Sequence, residues 1–284
     1  MSVKKNNNNR KQQTHQTHSS KIDLVRNGQI VGTRQERHER GNEQLRAERD
    51  IAREEFNLSW FQPSIKQKEI IDSINNKACT LIDGRSGTGK STTTIFHALR
   101  ALQSGKYRKI IFIKTPTQLG VDDVGFLGTN EAKFDFPLIA MRSIFESFMS
   151  KEKLEMEEKK GRIEFMFPNW LGGQTFSHSI VIIDEMQWFN PEMVKLVLER
   201  CDSSTKVVCL FDSKQRYANK QREDGANDLL NKVTTINEDT SIRVVKEQEN
   251  TLFAYVHLDH SENRRGALSK RITELYDNIS FERG

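Results

Sequence analysis

Eight consecutive residues, Gly84-Arg85-Ser86-Gly87-Thr88-Gly89-Lys90-Ser91, fit the spacing G-x-x-x-x-G-K-S/T without a mismatch. The residue types say what such a loop does. Glycines let the backbone turn tightly and aim successive N–H groups at a phosphate. A lysine in this place reaches the β- and γ-phosphates, and the hydroxyl after it binds the Mg²⁺ that bridges them. On this reading Gly84, Arg85, Ser86, Gly87, Thr88, Gly89, Lys90, Ser91 and Thr92 hold a nucleoside triphosphate, ATP, with Lys90 also catalytic and Ser91 a metal ligand. A second pattern follows 94 residues after Lys90, where Ser179-Ile180-Val181-Ile182-Ile183 runs into Asp184-Glu185. An apolar run ending in two acids suits a central parallel strand that delivers carboxylates to the carboxyl edge of a sheet, where ligands bind in such folds. Asp184 would hold Mg²⁺ through water, and Glu185 would polarise the attacking water.

Each pattern needs its setting, because a Gly/Ser loop or an acidic turn occurs in many proteins. Ala78-Cys79-Thr80-Leu81-Ile82-Asp83 reads as a buried strand entering the first motif. Ser91 to Leu102 reads as a helix leaving it, with Ile95, Ala98, Leu99 and Leu102 on one face. Further along, a helix is expected over Ser64–Ile74 and strands over Lys109–Ile113, Ile163–Phe167 and Lys206–Phe211. Helical segments are expected from Pro137 to about Met149, and Pro191 opens another helix. A Gly-rich loop covers Gly120–Gly128, a charge run 151–160 and a polar loop Arg216–Asp224. Strands near Ile242–Val245 and Phe253–Leu258 and a helix over about Arg265–Tyr276 close the chain. Strands alternating with helices predict an α/β fold with a mostly parallel sheet covered on both faces. Ahead of this core, Ile22–Gly32 has the pattern of a hairpin turning at Asn27-Gly28, and Thr33–Phe56 is a charged helical stretch. The expected division is a disordered basic arm at 1–21, a hairpin plus charged helical extension at 22–57, and an ATPase core at 58–284.

Composition narrows the class. Hydrophobic residues make up 35% of the 284 and charged residues 29%, enough for a core beneath a strongly charged surface. No run of eighteen apolar residues occurs, which speaks against a membrane-spanning helix, and no apolar leader opens the chain. The three cysteines, Cys79, Cys201 and Cys209, lack C-x-x-C spacing and read as reduced core residues of a cytoplasmic protein. The net charge of +5 is uneven: residues 1–55 hold 12 Lys/Arg against 8 Asp/Glu. The first twenty-one residues carry five basic and no acidic side chains, an arm suited either to phosphate backbones or to solubility alone.

The order of motifs resembles the PhoH-like family of phosphate-loop ATPases, relatives of the first motor domain of superfamily 1 helicases. The resemblance runs over about residues 60–277. Gln67 resembles the glutamine that reads adenine in such ATPases, and Gly84–Ser91 matches the G-x-x-G-T-G-K-S/T form of the loop. Thr115-Pro116, Leu119-Gly120 and Gly125-Phe126-Leu127-Gly128 resemble a segment ending G-F-L-P-G. Thr175-Phe176 stands just before the acidic strand, as in the family. Asp184-Glu185-Met186-Gln187 and Asn190-Pro191-Glu192-Met193 resemble the D-E-A-Q segment and its following helix. Asp212-Ser213-Lys214-Gln215 resembles G-D-x-x-Q, which makes Gln215 a sensor of the γ-phosphate. Arg265, with Leu268, Ile272 and Tyr276, resembles the closing R-H-P-L-V helix and joins the nucleotide-binding set. Phe211, Met186, Gly172-Gly173-Gln174 and Gly266-Ala267 depart from the family pattern, and none replaces a phosphate or metal ligand. The resemblance implies the phosphate-loop NTPase fold of RecA and helicase type, ATP hydrolysis with Mg²⁺, and a ring-shaped homo-oligomer such as a hexamer. It also implies work on single-stranded nucleic acid, RNA before DNA. Two other readings stay open. One is a deoxynucleoside kinase of thymidine-kinase type, which shares G-K-S and D-E-x-Q but carries a zinc lobe absent here. The other is an ATP-binding nucleic-acid module with little turnover.

Overall fold

In the strand Cys79–Gly84 every residue is buried, and alternate side chains enter two different apolar clusters. Leu81 packs on one side of the sheet and Ile82 on the other. The same division separates Ile111 from Phe112, Val181 from Ile182 and Cys209 from Leu210. Side chains alternate along a strand, so a continuous apolar run makes sense only for a strand covered on both faces. The computed structural model describes residues 23–26, 29–115, 130–168, 171–215, 224–272 and 275. The arm at 1–21, the Asn27-Gly28 turn, the Gly120–Gly128 loop, nearly all of the Arg216–Asp224 loop and Tyr276 lie outside these residues.

Two compact units are distinguished, one ending at Arg53 and the next beginning at Glu54. The first contains the antiparallel pair β1 (Asp23–Arg26) and β2 (Gln29–Thr33), then helix α1 (Arg34–Arg53). In the second, α2 (Ile65–Asn76) precedes β3 (Cys79–Gly84), and α3 (Lys90–Gln103) leads to β4 (Lys109–Lys114). Next come α4 (Asn130–Phe145), α5 (Lys151–Lys159), β5 (Ile163–Met166), β6 (Ser179–Asp184) and α6 (Pro191–Leu198). After β7 (Lys206–Phe211) the chain forms α7 (Gly225–Val233), β8 (Thr234–Ile236), β9 (Arg243–Val245) and β10 (Phe253–Leu258). The main sheet runs β10-β3-β7-β6-β4-β5 and every pairing in it is parallel. One face carries Ile70, Ile95, Leu99, Phe145 and Leu154 from α2, α3, α4 and α5. The other carries Val194, Val197, Ala226 and Leu230 from α6 and α7. This is the α/β, phosphate-loop NTPase arrangement, a parallel sheet between two helical layers.

Helix starts follow their caps. Ser64 and Gln67 form a reciprocal capping box on α2, Asn190 caps α6 with Pro191 in its first turn, and Asp224 accepts from Ala226 and Asn227 at the head of α7. Five elements differ from the sequence reading. The charge run at 151–160 is helix α5, because Ser150 caps it and Leu154 and Glu157 turn inward. Glu157 is fully buried with Lys153, Lys160 and Arg162 around it, so three cations offset one buried acid. Helix α4 begins at Asn130, ahead of the expected Pro137, since Glu131, Ala132 and Lys133 are good helix formers. Helix α7 and strand β8, absent from the sequence reading, join directly at Thr234 and leave no turn residues to mark them. The closing helix starts at residue 267, two after Arg265.

Candidate functional site

Strand β3 ends at Gly84 because the backbone there lies against β10: a Cβ on Gly84 would sit 2.8 Å from the Leu258 carbonyl oxygen. Gly87 and Gly89 then turn through the left-handed region at φ 88° and 83°. A side chain at Gly87 would meet Asn263 Oδ1 at 2.7 Å, and one at Gly89 would meet Gln67 Nε2 at 2.7 Å. Both demands select glycine at these two places. Thr88 is buried and donates to the Arg85 carbonyl at 2.8 Å, closing the loop beneath. Helix α3 starts at Lys90, so its free N–H groups open onto the loop.

The carboxyl ends of β4, β6 and β7 deliver the other groups. Asp184 accepts from Ser91 Oγ at 3.2 Å and from Lys114 Nζ at 2.9 Å, and Lys114 and Asp184 are register partners on β4 and β6. Glu185 leaves the strand with φ 54°. A buried glutamine, Gln187, ties the next groups together. Its Nε2 donates to Glu185 Oε2 at 2.5 Å and to Gln215 Oε1 at 3.2 Å, while its Oε1 accepts from the Asp212 N–H at 3.2 Å. Asp83 takes the Ser213 N–H and hydroxyl at 2.9 and 2.7 Å and the Tyr255 hydroxyl at 3.3 Å.

Lys90, Ser91, Lys114, Asp184, Glu185, Asp212 and Gln215 face one cavity of about 730 Å³, while Asp83 and Ser213 line a smaller hollow behind the loop. Among the residues singled out by sequence, Gln67, Ser86, Gly87, Gly89, Lys90 and Ser91 line it. So do Thr92, Asp184, Glu185, Gln215 and Arg265. Gly84, Arg85 and Thr88 do not line it. Gly84 and Arg85 line the smaller hollow, where Arg85 stands 3.8 Å from Asp212. Gln67 is buried, its side-chain Oε1 accepting from the Ser64 N–H at 2.9 Å and its Nε2 facing Gly89. Arg265 packs on Gly87 through its side-chain carbons, and the Arg264 N–H donates to the Gly87 carbonyl at 3.0 Å.

Lysine electrostatics divide. Lys90 donates to the Gly84 and Arg85 carbonyls, folded over its own loop. Burial holds its pKa below the usual lysine range, against the pull of Asp212, Glu185, Asp184 and Asp83. Lys114 is also penalised by burial, but Asp184 and Glu185 together carry its pKa above the ordinary value. The site therefore holds a lysine that gains from any added negative charge, beside one already neutralised.

Four participants escaped the sequence reading. Gln187 entered only as part of a resemblance, Lys114 was given no role, and Arg264 and Trp60 did not enter. Trp60 is 48% exposed at the cavity wall and stacks on Phe148 with ring centroids 5.0 Å apart. Its signal was an aromatic pair, Trp60-Phe61, just ahead of the capped helix that carries Gln67.

Residues 62–277 match the family model described as PhoH-like protein. The chain belongs to the PhoH-like family. A PhoH-like protein of Synechocystis is 26% identical over 215 residues, 75% of this chain and 61% of that protein. Protein PhoH2 of Mycolicibacterium smegmatis is 26% identical over 222 residues, covering 76% of this chain and 47% of the relative. A PhoH-like protein of Bacillus subtilis is 24% identical over 234 residues, with coverages of 81% and 68%. This PhoH-like chain thus spans about half to two thirds of the length of these relatives. Among solved structures, the Pyrococcus furiosus Hef helicase domain overlays with a TM-score of 0.44 and 13% identity, over 73% of this chain and 40% of that one. The Pif1 helicase from Candida albicans gives 0.34 and 14%, over 70% and 40%.

Proposed function

We propose that this chain hydrolyses ATP and couples the reaction to single-stranded nucleic acid, RNA in preference to DNA, as a cytoplasmic homo-oligomeric motor. The observation that carries the ATPase reading is the convergence of Lys90, Ser91, Asp184 and Glu185 on one cavity, with Ser91 Oγ 3.2 Å from Asp184. The fit to a triphosphate rests on the two left-handed glycines, whose missing side chains keep the loop open, and on a half-buried lysine that forms no ion pair among the described residues. A hydroxyl and a carboxylate are the hard oxygen donors that Mg²⁺ takes alongside phosphate and water. When bound, the ion supplies charge neutralisation between the β- and γ-phosphates.

The residues divide the work as follows. Ser86 through Thr92 bind the phosphates, and Lys90 turns from its carbonyl partners to the phosphate oxygens. Gln187 occupies Glu185 Oε2, which leaves Oε1 as the acceptor for a water. That water attacks the γ-phosphorus, its oxygen forming the new bond while the bridging oxygen leaves with ADP. Gln215, held by Gln187, senses whether the γ-phosphate is present. Gln67 and Trp60 take the base, and Arg265 stands over the loop at Gly87. The proposed division is a basic arm at 1–21, an extension at 22–57 and the ATPase core at 58–284. No described helix is long and apolar enough to cross a membrane.

Phosphate release from ATP and Mg²⁺, measured alone and with single-stranded RNA, single-stranded DNA or thymidine, tests this reading. Basal release that rises most with RNA is the expected result. Transfer of phosphate to thymidine would move the protein to the kinases, and no release under any condition would leave only a binding module. Molecular mass in solution with a non-hydrolysable ATP analogue tests assembly, and a monomer under every condition refutes the oligomer.

A further inference from the structure

The amino ends of the core strands, on the far side of the sheet from the cavity, carry cations. Lys77 lies two residues before β3, Arg108 precedes β4 and Lys109 opens it, His178 precedes β6 and Lys206 opens β7, with Lys106 two residues before Arg108. Lys109 is matched by Glu164 at 2.6 Å. Lys77, Lys106, Arg108 and Lys206 form no ion pair among the described residues. Three of them rest on neutral oxygens: Lys77 on the Asn250 carbonyl, Lys106 on Asn75 Oδ1 at 2.7 Å, and Lys206 on the Lys77 carbonyl at 2.7 Å. Arg108 is exposed, and its backbone N–H ties it to His178, whose φ of 48° is held by Ser204. The acid of this region, Asp202, is turned onto Ser204 and Thr205. Glu247 and Glu249 precede β10 and bound the row on that side.

The cations are close. From β3 through β7 and β6 to β4 is three strand spacings, roughly 14 Å. Lys206 is held below the usual lysine range by burial and then by the charge of Lys106, so the two repel. Four crowded cations with no carboxylate paired to them among the described residues are relieved by a polyanion. Among the described residues no exposed Phe, Tyr or Trp belongs to the row, since Tyr107 is buried, so contact is chiefly through phosphates.

We propose that the amino edge of the sheet, through Lys77, Lys106, Arg108 and Lys206, is a second surface that takes the phosphodiester backbone of single-stranded nucleic acid. The inference rests on the proposed nucleic-acid partnership and adds to it a place remote from the nucleotide cavity. A strand bound here is read without regard to base sequence.

The test uses the full chain and a Lys106→Gln/Arg108→Gln/Lys206→Gln variant, with anisotropy of labelled oligo-U and oligo-dT followed against salt. With three phosphates no longer neutralised, the slope of log affinity against log salt falls by roughly 2. Basal ATP hydrolysis, which none of the three residues touches, stays at the wild-type rate. Arg108→Glu alone, at an exposed position, gives a smaller loss in the same direction and stands in if the triple variant proves unfolded. Coincident binding lines for the wild type and a folded variant overturn the surface while leaving nucleic-acid binding in place. A wild type that binds neither oligonucleotide at low salt overturns both this surface and the partnership beneath it. If vesicles of four parts phosphatidylcholine to one of phosphatidylserine bind with the same dependence on the three cations and the oligonucleotides do not, the partner is a lipid surface and the proposal fails.

Discussion

Glu185 sits on left-handed backbone with one carboxylate oxygen held by Gln187, and this separates its role from that of Asp184, two atoms of which are taken by Ser91 and Lys114. Glu185→Gln keeps the phosphate cradle but removes the water's acceptor, so turnover falls by about 10²- to 10⁴-fold while ATP affinity holds. Phosphate release and equilibrium nucleotide binding measured on the same preparation decide it, and wild-type turnover in the variant puts the base elsewhere. Lys90→Ala instead weakens binding and turnover together. Trp60 and Gln67 both line the cavity, and Trp60 has about half its surface open. Base–aromatic stacking is worth about 1–3 kcal/mol, so Trp60→Ala raises the KM for ATP about tenfold with kcat retained. Gln67→Ala lowers the preference for ATP over GTP, because an amide both donates and accepts at a base edge. Unchanged KM and base preference in the two variants would assign both residues to packing alone. The loop and the acid pair were legible in the sequence because their spacing is local. Gln187, Lys114 and Arg264 were not, since each acquires its meaning from a neighbour far along the chain: Gln215 and Asp212, Asp184, and Gly87.

Helix α3 carries the loop on its first turn and packs its whole inner face into the core, and His97 is caught there with neither ring nitrogen hydrogen-bonded among the described residues. Burial, and then the charges of Arg100 and Lys106, push its pKa down to about 4. The folded state thus favours neutral imidazole. Its stability is intact above about pH 6.5, the value for an unfolded histidine, and drains as pH falls towards 4. Between pH 7.5 and 5 this amounts to about 2 kcal/mol. Urea unfolding of wild type and His97→Leu at the two pH values measures it: the wild type should lose about that much more than the variant, and equal losses would place the acid sensitivity in other groups. Elements announced by period and cap, such as α2, α6 and the core strands, could be read from sequence within a residue or two. The charged α5 could not, because its polarity hides an inward face built on Leu154 and on a buried acid ringed by cations. Helix α7 fell in a stretch of polar residues, and its inner face, led by Gly225 against the Asn190 carbonyl, shows only once α6 is beside it.

On the scale of the molecule, charge is gathered where the fold is thinnest in apolar residues, and the basic segment at 1–21 has only Met1 and Val3 to contribute to a core. Deleting it leaves basal ATP hydrolysis intact and flattens the salt dependence of nucleic-acid binding by roughly 0.7 log units for each phosphate the arm would have neutralised. Superimposable binding curves for full and shortened chains would make the arm a solubilising tail. The order of the sheet also bears on how the molecule comes into being. Strand β3, which leads into the Gly84–Ser91 loop, lies between β10 and β7, and 174 residues separate Cys79 from its register partner Phe253. At a synthesis rate of about 5–20 residues per second, β3 waits roughly 9–35 s on the ribosome before its second neighbour exists. Throughout that interval one ladder of its amide and carbonyl groups is open. The Arg264 N–H that pins the Gly87 carbonyl arrives later still. The Gly84–Ser91 loop is therefore among the first chemistry-bearing segments to be made and the last to be secured, so a ribosome-bound chain stalled before residue 253 holds the motif without the proposed site.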